Sequence, residues 1–403
     1  MSTSISPPRD QSPEDHQRLF LPNPSLEAFS QFLVPHKVFV ESERDILRRV
    51  ARPGISNILS VVGPTGVGKT QLLNEVGGVL LKASAPVHGV SPSPVDSADA
   101  LSPYLPVVCV IANTGRSFES RFKHLLIAIL KQVNGVAAKL GVVRSDTSSP
   151  NGRASLSPQQ IPIAQLEELV RSGLRERQTR AVLIDEAQHL AQRADAEDWQ
   201  LVGNGLKLLG SISGTLIVLF GTSELLSLPS LTGQLGRRTK AIHLRRYLWD
   251  DPVYKDEFAK VVASFAQQWP DVLPVKLLFE HLPFLYAGCV GCTGILSGWI
   301  YDAMALAEQE ALPAVTLDVL CRTAHSEEKL RKIATEAEEC EKEFAKERLG
   351  LEKLTAELCP SSRSRVLISA SETKPETVPP AKKKPKPGNR KPTYDPCPAV
   401  VVA

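Results

Sequence analysis

The chain has 403 residues, 42% of them hydrophobic and 23% charged, which leaves room for two or three domains and a sizeable core. The formal net charge of +3 hides an asymmetry: from Pro360 onward nine Lys and Arg face three carboxylates, a net +6, so the body carries −3. A near-neutral body excludes a protein that holds nucleic acid by its overall charge.

Residues 1–25 are rich in Ser, Pro and Asp, with no apolar run of signal-peptide type, and read as a mobile arm. Residues 26–57 hold Phe29, Phe32, Leu33 and Phe39 and then a helical run around Glu43–Val50. A short amphipathic element at this position often packs near a nucleotide's base and ribose. The apolar run Ile58–Val62 leads straight into Gly63-Pro64-Thr65-Gly66-Val67-Gly68-Lys69-Thr70-Gln71, and a helix is expected over 70–81. Strand, glycine loop, Lys-Thr and helix in that order form the phosphate-binding loop pattern in its required context. Its glycines let backbone N–H groups curl around phosphate oxygens, and the helix directs the positive end of its dipole at the same anion. Lys69 is expected to reach the β and γ phosphates of ATP, and Thr70 to bind Mg²⁺.

Residues 84–106, dense in Ser, Pro, Ala and Asp, read as a surface insertion, and residues 144–160 as a similar connection. Between them Pro106–Ile111 is a continuous β-branched run, hence a buried parallel strand, followed by a helix from Glu119 to about Val133. After an amphipathic helix over 162–178, Arg180–Ile184 forms a third strand ending in Asp185-Glu186. Two carboxylates at the C-terminal tip of a buried strand stand where ligands sit in open α/β sheets. Asp185 is the expected Mg²⁺ holder and Glu186 the group that polarises the attacking water. A helix over 199–213 precedes a fourth strand, Thr215–Thr222, whose last residue, Thr222, is a candidate for orienting that water. Leu231–Arg238 is a loop carrying Arg237 and Arg238, and Ala241–Leu244 a short fifth strand.

Helical segments are expected near 251–269, 275–286, 294–309 and 316–325. Leu282–Tyr301 lacks charge and reaches membrane-spanning length, but Pro283 and four glycines break it, which suits a packed helical subdomain with no membrane. Cys289 and Cys292 belong to seven irregularly spaced cysteines, which carry no paired framework and fit a reducing, cytoplasmic compartment. They read as small packed residues rather than zinc ligands. Residues 327–359 form a charged helix in which Leu330, Ile333, Ala337, Cys340 and Phe344 make a narrow seam, suited to the body or to a coiled-coil partner. Residues 360–403, including Lys382–Lys386, read as a basic disordered tail.

The stretches GPTGVGKTQLL (63–73), AVLIDEAQHL (181–190), LIVLFGTSELL (216–226) and LTGQLGRRTKAIHL (231–244) resemble an AAA+ ATPase, and within that superfamily the TnsC/TniB group of transposition regulators. The resemblance covers roughly residues 35–310. It implies an α/β P-loop NTPase with a five-stranded parallel core over 26–248 and a small helical lid over 249–326. It also implies a Mg²⁺-dependent ATPase that forms a ring or helical filament of identical subunits on double-stranded target DNA. Such a protein links a target-selection protein of the TniQ type to the transposase and disassembles on hydrolysis. Under the resemblance, Thr222 is the first sensor and Arg237 or Arg238 an arginine finger acting on a neighbouring subunit. Arg116, Arg121 and Lys123 are the nearest candidates for DNA contact. One departure stands out: the lid stretch Gly291–Trp299 has no arginine to act as a second sensor. That absence keeps open a nucleotide-gated signalling scaffold that does not act on DNA.

Overall fold

The computed structural model describes residues 24–52, 57–83, 104–115, 117–134, 160–190, 196–230 and 239–358. Nearly all of the expected arm and of both surface connections, and the whole basic tail, lie outside the described residues; residues 24 and 25 of the arm begin a helix instead.

Five strands form one parallel sheet: β1 (Ile58–Val62), β2 (Val107–Ile111), β3 (Ala181–Asp185), β4 (Leu216–Gly221) and β5 (Thr239–His243). Their order is β2-β3-β4-β1-β5, so β4 lies between the strand that leads into the glycine loop and the strand that ends in the carboxylates. β1, β3 and β4 are buried along their whole length, as continuous apolar runs require when helices cover both faces. β5 is an edge strand and starts two residues before the expected Ala241. Thr239 and Lys240 pair with Ile58 and Leu59 through the backbone, which is indifferent to their polarity.

Ahead of the sheet lie α1 (Pro24–Gln31) and α2 (Lys37–Ala51); α3 (Lys69–Ala83) follows the glycine loop. Side chains alternate across the sheet with a period of two. Leu59, Val61, Leu183, Val218 and Phe220 pack with Ile46 of α2 and Leu72 and Val76 of α3. Ile58, Val62, Val182, Ile184 and Leu219 face the other way, onto α4 (Phe118–Asn134), α5 (Ile163–Glu176) and α6 (Ala196–Ser213).

A helical region follows: α7 (Pro252–Gln268), α8 (Val275–Glu280), α9 (Leu282–Cys289), α10 (Thr293–Gln309), α11 (Leu317–Thr323) and α12 (Glu327–Leu358). Asp251 caps α7, its carboxylate accepting from the N–H groups of Val253 and Tyr254, with Pro252 in the first turn. The single helix expected over 275–286 is two. Pro283 has no N–H to donate into a continuing helix, and the chain turns at His281 instead. Among the described residues no helix is long and apolar enough to cross a membrane; α9 and α10 together reach that length but are bent by 111°. Their small residues serve packing. A Cβ on Gly288 would fall 2.3 Å from the Trp299 ring, and that buried indole donates to the carbonyl of Leu320 at 3.1 Å. Cys289 and Cys292 are fully buried free thiols, and burial pushes the Cys292 thiol up to about 12. Both behave as packing groups.

Candidate functional site

The glycine loop joins β1 to α3. Gly66 and Gly68 sit at φ +76° and +103°, in the left-handed region that side chains resist and that lets a loop's N–H groups turn toward an anion. Lys69 opens α3. Its ammonium is buried and donates to the carbonyls of Gly63 (2.8 Å) and Pro64 (2.9 Å), holding it at the loop rather than in solvent. Burial lowers its pKa, while Glu336, Glu186 and Asp185 act in the opposite sense.

The next residue, Thr70, donates its hydroxyl to Asp185 Oδ2 at 2.7 Å. Asp185 is buried at the tip of β3, and its second oxygen accepts from the N–H of Glu186 at 2.9 Å. A hydroxyl and a carboxylate oxygen this close form an oxygen-rich pair, suited to a hard divalent cation that keeps several waters. Thr70 and Asp185 therefore fit Mg²⁺. Glu186 adopts φ +52°, unusual for a residue with a side chain. Its carboxylate accepts from the Gln188 side-chain amide and lies 4.0 Å from His189 Nε2.

Thr222 follows β4. The N–H of Gly63 donates to Gly221 O at 3.3 Å, so the fourth strand's end is tied to the beginning of the loop. The Thr222 hydroxyl is buried with no protein partner, a polar group suited to a water or a phosphate oxygen. The sheet order thus brings Lys69, Thr70, Asp185, Glu186 and Thr222 together from three neighbouring strand ends. Gln188 is a member that sequence reasoning passed over, although its position two residues beyond Glu186 put it within reach.

A cavity of about 230 Å³ adjoins the loop at Gly68 and Gln71. Its walls come from Phe32, Leu33, His36 and Phe39 on one side and Thr293 and Ser297 of α10 on another. Phe29 stacks on Phe265 and lies tilted against Trp269, while Phe32 meets both rings edge-on, joining the N-terminal segment to α7. His36 is fixed by Tyr247 Oη on Nδ1 (2.8 Å) and Thr293 Oγ1 on Nε2 (3.3 Å). Burial lowers its pKa to about 4, with Glu257 opposing, so at neutral pH it offers an uncharged wall. An apolar slot with a few hydrogen-bonding groups, one side chain away from a phosphate loop, has the chemistry to take a nucleoside.

The lid stretch that lacks an arginine meets the loop through its backbone. Ile295 N–H donates to Gly66 O at 3.1 Å, and Thr293 Oγ1 donates to Val67 O at 3.3 Å. Arg116, Arg237 and Arg238 lie outside the described residues. Of the other two DNA candidates, Lys123 is half-buried on α4. Arg121 is 3% exposed, with Nη1 donating to Gly115 O at 3.4 Å. A guanidinium turned inward in this way offers little surface to a phosphate backbone.

Residues 55–228 match the AAA domain family. No curated relative matches the sequence. Among solved structures, the chain is similar to domain III of the replication initiation protein DnaA from Thermotoga maritima, at 18% identity and a TM-score of 0.42 over 75% of this chain and 96% of that one. It is also similar to the ORC2 protein of Aeropyrum pernix in its ADPNP-ADP complexes, at 15% identity and a TM-score of 0.47 over 73% and 69% of the two chains. A third likeness is to Cdc6p of Pyrobaculum aerophilum, at 16% identity and a TM-score of 0.45 over 75% and 70%. The match over residues 55–228 and the five-stranded parallel sheet ordered β2-β3-β4-β1-β5 agree on one architecture, the AAA+ P-loop NTPase fold.

Proposed function

We propose that the protein is an ATPase that assembles on double-stranded DNA in its ATP-bound form and regulates DNA transposition. The observation that carries the hydrolytic part is the 2.7 Å contact between Thr70 and Asp185, with Glu186 beside it and the unpartnered Thr222 hydroxyl one strand away. Lys69 and the loop N–H groups hold the phosphates, and the cavity walled by His36 and Thr293 receives the base and ribose. Bound Mg²⁺ would neutralise phosphate charge. Glu186 takes the proton of the attacking water, and Thr222 orients that water toward the terminal phosphate.

The transposition reading is supported by the resemblance of LIVLFGTSELL and LTGQLGRRTKAIHL to the TnsC/TniB group. In this reading Arg237 or Arg238 completes a neighbouring subunit's site, so that hydrolysis follows assembly and ends it. Partners are a transposase and a target-selection protein of the TniQ type. Electron microscopy of the full chain, with and without duplex DNA and a slowly hydrolysed ATP analogue, tests the proposal. Rings or filaments that need both the analogue and DNA are expected; their absence under every condition overturns it.

A further inference from the structure

The first half of α12 lies against the site rather than apart from it. Ile333, Ala337 and Cys340 are buried on its inner face, and the Phe344 ring stacks on His243 at the end of β5, centroids 4.2 Å apart and 6° from parallel. Glu341 accepts two hydrogen bonds from the Arg246 guanidinium, at 2.8 and 3.2 Å, a bidentate pair in a largely sheltered position. Five residues earlier Glu336 reaches the glycine loop. Its Oε1 accepts from the N–H of Thr65 at 3.1 Å and from the Thr65 hydroxyl at 2.8 Å.

That carboxylate bonds the early side of the loop, next to the Gly63 and Pro64 carbonyls where the Lys69 ammonium rests. If the loop holds phosphates as proposed above, the terminal phosphate meets Lys69 there, and a fixed negative charge stands beside its path. A diphosphate, seated deeper among the loop N–H groups, brings less charge to that edge. Two like charges a few ångströms apart near a protein surface repel strongly enough to choose between two positions of one helix.

We propose that α12 is a strap tied to the phosphate loop by Glu336, and that a nucleoside triphosphate, but not a diphosphate, displaces it. The displaced face, Ile333 to Phe344, is then the part of the chain that reports the triphosphate state. The proposal rests on the phosphate-loop reading of the site and adds to it a regulator within the same chain.

Hydrogen exchange of the full chain, read by mass spectrometry with Mg²⁺ and ADP or a slowly hydrolysed ATP analogue, tests it together with nucleotide affinities. Faster exchange across residues 330–344 with the analogue, and not with ADP, is the expected result. E336Q keeps an acceptor for Thr65 but removes the charge. It should bind the analogue about fivefold more tightly or better, with ADP affinity within about twofold. E341R should loosen the strap by another route, and R246E/E341R should restore wild-type behaviour. Unchanged exchange across 330–344 in a protein that binds the analogue, or E336Q and E336A that bind it no better than wild type, overturns the strap while leaving the site intact. Failure of wild type, E336Q and E336A alike to bind either nucleotide overturns the site reading as well.

Discussion

The hydroxyl of Thr70 donates to Asp185 Oδ2 at 2.7 Å, joining the first turn of α3 to the tip of β3. These residues are 115 positions apart and meet because β4 alone separates β1 from β3 in the sheet. The pair places two oxygens where a hydrated divalent cation can bridge them. Asp185→Asn keeps the hydrogen bond to Thr70 and removes the charge the cation needs. Nucleotide affinity in wild type should fall when Mg²⁺ is replaced by EDTA, and in Asp185→Asn the two conditions should give nearly the same Kd, as measured with a fluorescent nucleotide.

Glu186 is held at φ +52° with its carboxylate on the Gln188 amide, so its side chain is positioned rather than free. Glu186→Gln preserves that hydrogen-bonding capacity and abolishes proton acceptance. Turnover should fall by about 10²- to 10⁴-fold, the usual worth of a general base, while ATP affinity stays within a few-fold of wild type. Steady-state phosphate release and equilibrium binding check the two halves separately. Rapid turnover by the variant would remove Glu186 from the base role.

Gly66 is the point where loop and lid touch. Its φ is +76°, its carbonyl accepts from Ile295 N–H at 3.1 Å, and a Cβ there would fall 2.4 Å from Ile295 Cγ1. Gly66→Ala therefore combines a backbone strain of order 1 to 3 kcal/mol with the need to move α10. A lowered thermal midpoint and at least tenfold weaker nucleotide binding are expected. Gly298→Ala, also on α10 but with nothing within 4 Å of the new Cβ, should leave both near wild type.

Much of this site was legible because its chemistry is local. A glycine loop, a Lys-Thr pair and an acid pair at a strand end each carry their meaning within about ten residues, and alternating apolar strands force them into one sheet. What the sequence concealed depends on distance and direction. Glu336 sits among Glu338, Glu339 and Glu341 on a helix whose charges look like solvent dressing, and only packing shows which one turns inward to Thr65, 271 positions away. The seam Leu330, Ile333, Ala337, Cys340 and Phe344 suited either the body or a partner; His243, which Phe344 and Cys340 meet, has no marker for it. Arg121 is the complementary case. A basic residue in the first turn of a helix reads as exposed, yet the local turn folds it onto Gly115. The backbone contact between Ile295 and Gly66 left no side-chain trace, so a lid with no arginine looked emptier than it is.

His36 supplies a pH test of the cavity beside the glycine loop. Burial holds its folded pKa at about 4, with Glu257 opposing, against 6.5 for the ordinary group. The unfolded chain thus binds the proton more readily between these values. Stability is fully present above pH 6.5 and is lost as pH falls toward 4, by about 2 kcal/mol from this residue between pH 7.5 and 5. His243, lowered to about 4 by burial and by Arg245, acts in the same window and with the same sign. His36→Gln keeps polar groups for Tyr247 and Thr293 but does not titrate. Urea midpoints at pH 7.5 and 5.0 should show a smaller acid loss in His36→Gln than in wild type, with the His243 share remaining. An equal loss in both proteins would mean that His36 takes up its proton as readily in the fold as in the unfolded chain, so that the cavity wall becomes charged between pH 7.5 and 5.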